Sequence, residues 1–106
     1  MQNSVSPQII ELRARYQSSL PEKAAMIEEH IVMLSSGGVS DDKISETHEV
    51  LHKLAGSAGM YGYDEISSLC RQAMTNSSQQ NLSLLLPQLT ELKNLLDLQA
   101  NGEIDC

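Results

Sequence analysis

One histidine, His52, lies beside several glycines in the middle of a segment whose apolar spacing predicts a helix. The segment from His52 to Gly62 reads His-Lys-Leu-Ala-Gly-Ser-Ala-Gly-Met-Tyr-Gly. A glycine in a helix interior costs roughly 1 kcal/mol relative to alanine, so Gly56 and Gly59 weaken this helix in a way that packing alone would not demand. A neutral imidazole offers a nitrogen lone pair near neutral pH without a separate base. The pattern predicts a histidine nucleophile that another protein can approach closely.

The apolar stripe of this helix determines which way His52 points. The stripe consists of Ile44, Leu51, Leu54 and Ala58. At about 100° per residue, His52 points well away from the centre of the stripe, so we expect it to face solvent. The same outward sector contains His48, Gly56 and Gly59. Ala55 lies at its edge.

Helical periodicity extends along the whole chain, and no segment alternates as a strand would. The composition is 41% hydrophobic but only 3% aromatic, which suits helices packed through aliphatic side chains. We predict helices at about 7–19, 21–36, 41–61, 64–75 and 79–100. Short connections favour antiparallel neighbours. The expected fold is all-α, an antiparallel up-down-up-down four-helix bundle with an additional N-terminal helix, in a single domain over 1–106.

Prolines, glycines and capping residues set these boundaries. Pro21 interrupts the first helix and suits the first turn of a second one. Ser40 or Asp41 can cap the helix that contains His52. Gly62 is placed to end that helix, and Asp64 to cap the next.

The charge balance excludes several classes of partner. Fourteen acidic and seven basic residues give a net charge of −7, which opposes binding to nucleic acid or to an anionic membrane.

No signal peptide or apolar run of membrane-spanning length is present, and Cys70 and Cys106 form no metal or disulfide pattern. We expect a cytoplasmic protein with Cys70 buried and inert, and the start at Met1 favours a free-standing protein over part of a larger one.

The segment from His52 to Ala58, followed by Gly62 and by Leu69-Cys70 in the next helix, resembles the histidine-containing phosphotransfer (HPt) domain of bacterial phosphorelays. The resemblance implies that His52 is phosphorylated on a ring nitrogen and exchanges the phosphoryl group with an aspartate of a response-regulator receiver domain. It implies receiver domains, hybrid sensor histidine kinases or both as partners, and Mg²⁺ on the receiver. We do not expect the chain to have kinase or ATPase activity or to bind a cofactor. We expect it to be a monomer.

One position departs from the family pattern. The family usually has a lysine three residues after the histidine, and this chain has Ala55 there. Lys53, Lys43 or Arg71 could supply the positive charge, or the site could function without one. The predicted site consists of the phosphoacceptor His52 and a docking surface of His48, Lys53, Ala55, Gly56 and Gly59.

Two other functions compete with this interpretation. The chain could be a helical adaptor that binds partners and is never phosphorylated. Less favoured is a metal site, because His48 and His52 have metal-ligand spacing but a third ligand would have to come from His30 or Glu49. His30 lies off the apolar stripe of its own helix, so we expect it to face solvent without a role.

Overall fold

The computed structural model describes residues 7–102, and within them the chain forms four α-helices, one short 3-10 helix and no strand. The helices are α1 (Pro7–Ser35), α2 (Asp41–Met60), α3 (Asp64–Met74) and α4 (Leu82–Ala100), with the 3-10 helix Gln79–Asn81 directly before α4. Cys106 lies outside the described residues. The prediction of an all-α helical bundle is confirmed.

The predicted helix boundary at Pro21 is wrong, because Pro21 lies inside the 29-residue helix α1. The additional N-terminal helix is therefore the first half of α1, and five predicted helices become four. A proline in a helix interior costs about 3 kcal/mol. Burial of one large aliphatic side chain stabilises by about 1.5–3 kcal/mol, and Leu20, Ala24 and Ile27 continue one buried stripe across the exposed proline. This burial outweighs the local preference for a break.

The bundle consists of two closely packed helix pairs. The helix α1 packs along α4, and α2 packs along α3. A smaller contact between α3 and α4 joins the two pairs, and the contact between α1 and α2 is smaller still. The described part is elongated, with extents of 54 × 21 × 19 Å. The centre contains the fully buried side chains of Leu20, Ile27, Leu34, Leu51, Ile66, Leu85, Leu89, Leu92 and Leu96. A core of aliphatic residues follows from a chain without Phe or Trp.

Both ends of α2 are defined by local hydrogen bonds. The Ser40 hydroxyl caps the first turn by accepting from the Lys43 backbone N–H at 3.3 Å. At the other end Gly62 adopts φ +86°, and the Tyr63 N–H donates to the Ala58 carbonyl at 2.8 Å, as in a Schellman motif. The predicted roles of Ser40 and Gly62 are confirmed, so the position of His52 within α2 is fixed from both sides.

The helix α3 begins one residue earlier than its predicted cap implies. Asp64 is the first helical residue, and the capping position belongs to Tyr63, whose side chain makes no capping bond. Asp64 and Glu65 instead place two carboxylates in the first turn, where they interact favourably with the positive end of the helix dipole. Asp64 thus stabilises this end by charge.

The helix α4 continues through Pro87. This proline predicts a kink near Ser83 or a helix start as late as Leu86, yet α4 begins at Leu82. The missing N–H would have bonded the Ser83 carbonyl in the first turn. Because buried leucines lie on both sides of the exposed proline, packing again outweighs the loss of one hydrogen bond.

Candidate functional site

His52 lies near the middle of α2 with its side chain exposed. Its exposure confirms the orientation predicted from the apolar stripe, all of which is buried. Within residues 7–102, no hydrogen bond or ion pair joins His52 to another side chain. The imidazole is therefore available to a group that comes from outside the chain.

Gly56, one turn after His52, is exposed and has no neighbour that requires a glycine. A Cβ atom added at Gly56 would have nothing within 4 Å. An alanine would fit there and would favour the helix by roughly 1 kcal/mol. The fold of the described residues gives no reason for the glycine, and what it provides is open surface beside His52.

Gly59 and Ala55 face a different neighbour, the helix α3. A Cβ atom added at Gly59 would lie 3.3 Å from the Ser67 hydroxyl oxygen, and that hydroxyl donates to the Ala55 carbonyl at 2.8 Å. Ala55 is only 5% exposed. The prediction that Ala55 belongs to the docking surface is wrong, because its side chain is buried in the core and is not available to a partner. Gly59 keeps an exposed backbone but also permits the close approach of Ser67.

Lys53 and His48 lie on opposite sides of His52. Lys53 is exposed and lines a groove of about 280 Å³ between α1 and α2, together with Lys23, Met26 and Val50. His48 is exposed and lines a second groove between the start of α2 and the connection from α3 to α4. The structure thus brings His48, His52 and Gly56 together on the outer face of α2, with Lys53 turned toward α1.

His30 is half-buried, which contradicts its prediction as a solvent-facing residue without a role. Its Nδ1 atom lies 2.7 Å from the Thr47 hydroxyl, and that hydroxyl donates to the Lys43 carbonyl at 3.1 Å. The imidazole of His30 and the hydroxyl of Thr47 thus share one hydrogen bond between the two helices. His30 therefore links α1 to α2, and its Nδ1 atom is engaged in a structural hydrogen bond.

No three His, Cys, Asp or Glu side chains among residues 7–102 form a group that could hold a metal ion. The spacing of His48 and His52 therefore has no third ligand in the part of the chain that the structure describes. None of the helices in this part is long and apolar enough to cross a bilayer.

A comparison with protein-family models identifies one match, described as the Hpt domain, over residues 11–102. The match covers most of the chain. The chain belongs to the Hpt domain family. No curated protein and no solved structure matches the chain at a significant level.

Membership in the Hpt family agrees with the helical bundle and gives the chain a histidine phosphotransfer role in phosphorelays. Hpt domains are phosphotransfer carriers that interact with response-regulator receiver domains and kinase domains. The family model spans all four helices of this Hpt domain, whereas the sequence resemblance rested on α2 and α3.

Three residues near the site were missed by sequence reasoning. Met60 is the most exposed large apolar side chain of the described residues, at 76%, and it lies four residues after Gly56 on the same helical face. Ser67 is buried under Gly59, and Tyr16 reaches from α1 to bond the Ser57 hydroxyl at 2.7 Å. The spacing of four in His52, Gly56 and Met60 is visible in the sequence, but the two hydroxyl contacts are not.

Cys70, on α3, is fully buried, as predicted. Burial raises the pKa of the Cys70 thiol to about 12, although the neighbouring charge of Arg71 acts in the opposite direction. Burial also raises the pKa of Tyr16, so its phenol stays protonated in the hydrogen bond that it shares with the Ser57 hydroxyl. Neither of these two groups presents a nucleophile to the surface at neutral pH.

Proposed function

We propose that His52 is the phosphoacceptor of this Hpt domain and exchanges its phosphoryl group with an aspartate of a receiver domain. The observation that carries the proposal is the combination of an exposed, unpartnered imidazole with Gly56, a glycine that the fold does not need. A side chain at position 56 would stand between His52 and an approaching active site. The absence of one leaves room for the two reacting groups to align.

Of the three histidines, His52 fits this role best. His30 is half-buried and bonded to Thr47. His48 is exposed, but the residue one turn after it is His52, whose imidazole would hinder an approaching partner. Only His52 is followed one turn later by an open position.

The transfer step requires little from this chain beyond a positioned nucleophile. A ring nitrogen of His52 attacks the phosphorus of the aspartyl phosphate, so that a nitrogen–phosphorus bond forms. The phosphorus–oxygen bond to the carboxylate breaks, and the carboxylate keeps its electron pair. The other ring nitrogen holds the imidazole proton. Because phosphoryl transfer depends on positioning and charge neutralisation, the receiver and its Mg²⁺ supply most of the catalysis, and this chain binds no cofactor and has no kinase or ATPase activity.

The partner binds to a docking face that we define as His48, His52, Gly56 and Met60. These residues occupy the outer side of α2 and are all exposed. Met60 adds an apolar contact beyond the open position at Gly56. The net charge of −7 disfavours nucleic acid and anionic membranes as competing partners. We place the protein in the cytoplasm as a monomer that serves receiver domains, hybrid sensor kinases or both.

The test is phosphorylation of the wild type and of His52→Gln by a phosphorylated receiver, or by a kinase and ATP. We expect the wild type to take up an acid-labile, base-stable phosphate and His52→Gln to take up none. His48→Gln is the comparison variant, since it removes an exposed imidazole of the docking face but leaves the proposed acceptor in place. It should still be labelled, although more slowly than the wild type. Equal labelling of wild type and His52→Gln across several receivers would contradict the proposal and favour the adaptor that is never phosphorylated.

A further inference from the structure

The position that carries the family lysine cannot supply a cation in this chain. Ala55 is buried against α3, and its carbonyl accepts the Ser67 hydroxyl. A phosphoryl group on His52 would carry negative charge at an exposed site of a protein whose net charge is already −7. The sequence leaves Lys53, Lys43 and Arg71 as sources of a compensating charge.

The two lysines are placed unfavourably. Lys53 turns toward α1, where it lines the groove with Lys23 and Val50. Lys43 is nine residues before His52 on the same helix, which corresponds to about 13 Å along the axis. Lys43 is also half-buried at the capped start of α2. Neither lysine lies both at the height of His52 along the axis of α2 and on the same side of that helix.

The contact between α2 and α3 shows which turn of α2 lies at the same height as Arg71. The two helices run antiparallel on either side of the tight turn at Gly62. Ser67 lies against Ala55 and Gly59, so one turn further along α3 corresponds to one turn back along α2. Four residues after Ser67 is Arg71, and the corresponding turn of α2 contains His52.

The side of α3 on which Arg71 lies is set by its neighbours. Glu65, Leu69 and Gln72 line the groove between α3 and α4. Ser67 faces α2 instead, and residues four apart share a helical face, so Arg71 lies on the α2 side. Arg71 is exposed, and it belongs to neither of the ion pairs found among residues 7–102.

The side chain of His52 points partly toward the side of α2 that packs against α3. At about 100° per residue, its direction falls between the open position of Gly56 and that of Gly59, which abuts Ser67. Neighbouring helix axes lie about 8–10 Å apart, a gap that a long arginine side chain can cross. The guanidinium can donate two parallel hydrogen bonds to phosphate oxygens.

We infer that Arg71 replaces the missing family lysine and binds the phosphoryl group on His52 from across the contact between α2 and α3. This inference rests on the proposed function, because it requires a phosphoryl group on His52. Arg71 neutralises part of the charge that develops during transfer and holds the phosphoryl oxygens in place. The cation thus comes from the next helix rather than from the helix of the acceptor.

The experiment uses phosphoramidate as the donor, so that no partner protein contributes a cation. A ring nitrogen of His52 attacks phosphorus and the phosphorus–nitrogen bond of phosphoramidate breaks. The leaving nitrogen, which already carries three protons in the zwitterionic donor, keeps the electron pair and departs as ammonia. We expect Arg71→Ala to react roughly tenfold more slowly than wild type, as for the loss of one charge-assisted contact. Arg71→Lys should recover most of the rate, and millimolar guanidinium should partly restore Arg71→Ala, which a merely structural role would not allow.

Three control variants show whether the effect is specific. Arg15→Gln removes another exposed arginine, on α1, whose ion pair with Glu11 is at the surface, and it should react at the wild-type rate. Lys53→Ala and Lys43→Ala test the competing cations, and with a small-molecule donor each should slow the reaction much less than Arg71→Ala does. Arg71→Ala at the wild-type rate would overturn the assignment of Arg71 alone. A wild type that takes up no phosphoryl group, like His52→Gln, would overturn the proposed function and this inference together.

Discussion

Two glycines one turn apart on α2, Gly56 and Gly59, have opposite surroundings. Gly59 lies against α3, where an added Cβ would press on the Ser67 hydroxyl at 3.3 Å. Gly56 faces open space, and an added Cβ would touch nothing within 4 Å. Packing within the bundle explains the first glycine and not the second. The reason that we propose for Gly56 lies in what binds to the chain.

The largest effect is expected from Gly56→Leu. The leucine should leave the fold intact and favour the helix by about 0.5–1 kcal/mol. It should nevertheless slow transfer from a phosphorylated receiver by at least about 100-fold, because small displacements of reacting groups have effects of that size. Rapid-quench measurement of transfer and urea unfolding of the same variant would give the two quantities.

Gly56→Ala serves as the graded control for this prediction. Its single methyl group should slow transfer much less than leucine while giving a similar gain in stability. A folded Gly56→Leu protein that transfers as fast as wild type would show that the glycine has nothing to do with access.

Gly59→Leu should reverse the pattern. Ser67 cannot move aside without losing its bond to the Ala55 carbonyl, so overpacking should lower the free energy of unfolding by about 1–3 kcal/mol. Transfer by the folded fraction should fall far less than in Gly56→Leu. Urea unfolding of both leucine variants under one set of conditions makes the comparison, and equal stabilities would remove the distinction between the two glycines.

The smallest effect is expected from a double-mutant cycle on Gly59→Ala and Ser67→Ala. Ser67→Ala alone should destabilise by about 0.5–1.5 kcal/mol through the lost hydrogen bond. In its background Gly59→Ala should be more favourable than in wild type, because the new methyl group no longer meets a hydroxyl. We expect a coupling of about 0.5–1 kcal/mol between the two sites, measured by chemical denaturation. Strict additivity would mean that Ser67 does not constrain Gly59.

Much of the fold could be predicted because helical periodicity records burial directly. The stripe of α2 was identified from Ile44, Leu51 and Leu54, all of which are buried, and the exposure of His52 followed by geometry. The ends at Ser40 and Gly62 followed from local capping chemistry. These features depend on residues within one helix, which is why the sequence alone was sufficient.

Features that depend on a second helix could not be predicted in the same way. A helical wheel gives the angle of Ala55 from its own stripe but not the position of α3, which buries it. Likewise the pairing of His30 with Thr47 joins residues from two helices. The prediction of a helix boundary at Pro21 fails for a related reason. The free-energy cost of a proline inside a helix is visible in the sequence, whereas the burial of α1 along α4 that outweighs this cost is not.

The tyrosines at one end of the bundle have an optical consequence. The chain has three tyrosines and no Trp or Phe, and all three rings lie together: Tyr16 stacks on Tyr61 at 4.8 Å and lies 5.6 Å from Tyr63. They join the first half of α1 to the turn between α2 and α3. The near-ultraviolet dichroism and the intrinsic fluorescence of the protein therefore come from this single junction. They report whether the end of α2 that presents Met60 is assembled, without any introduced label.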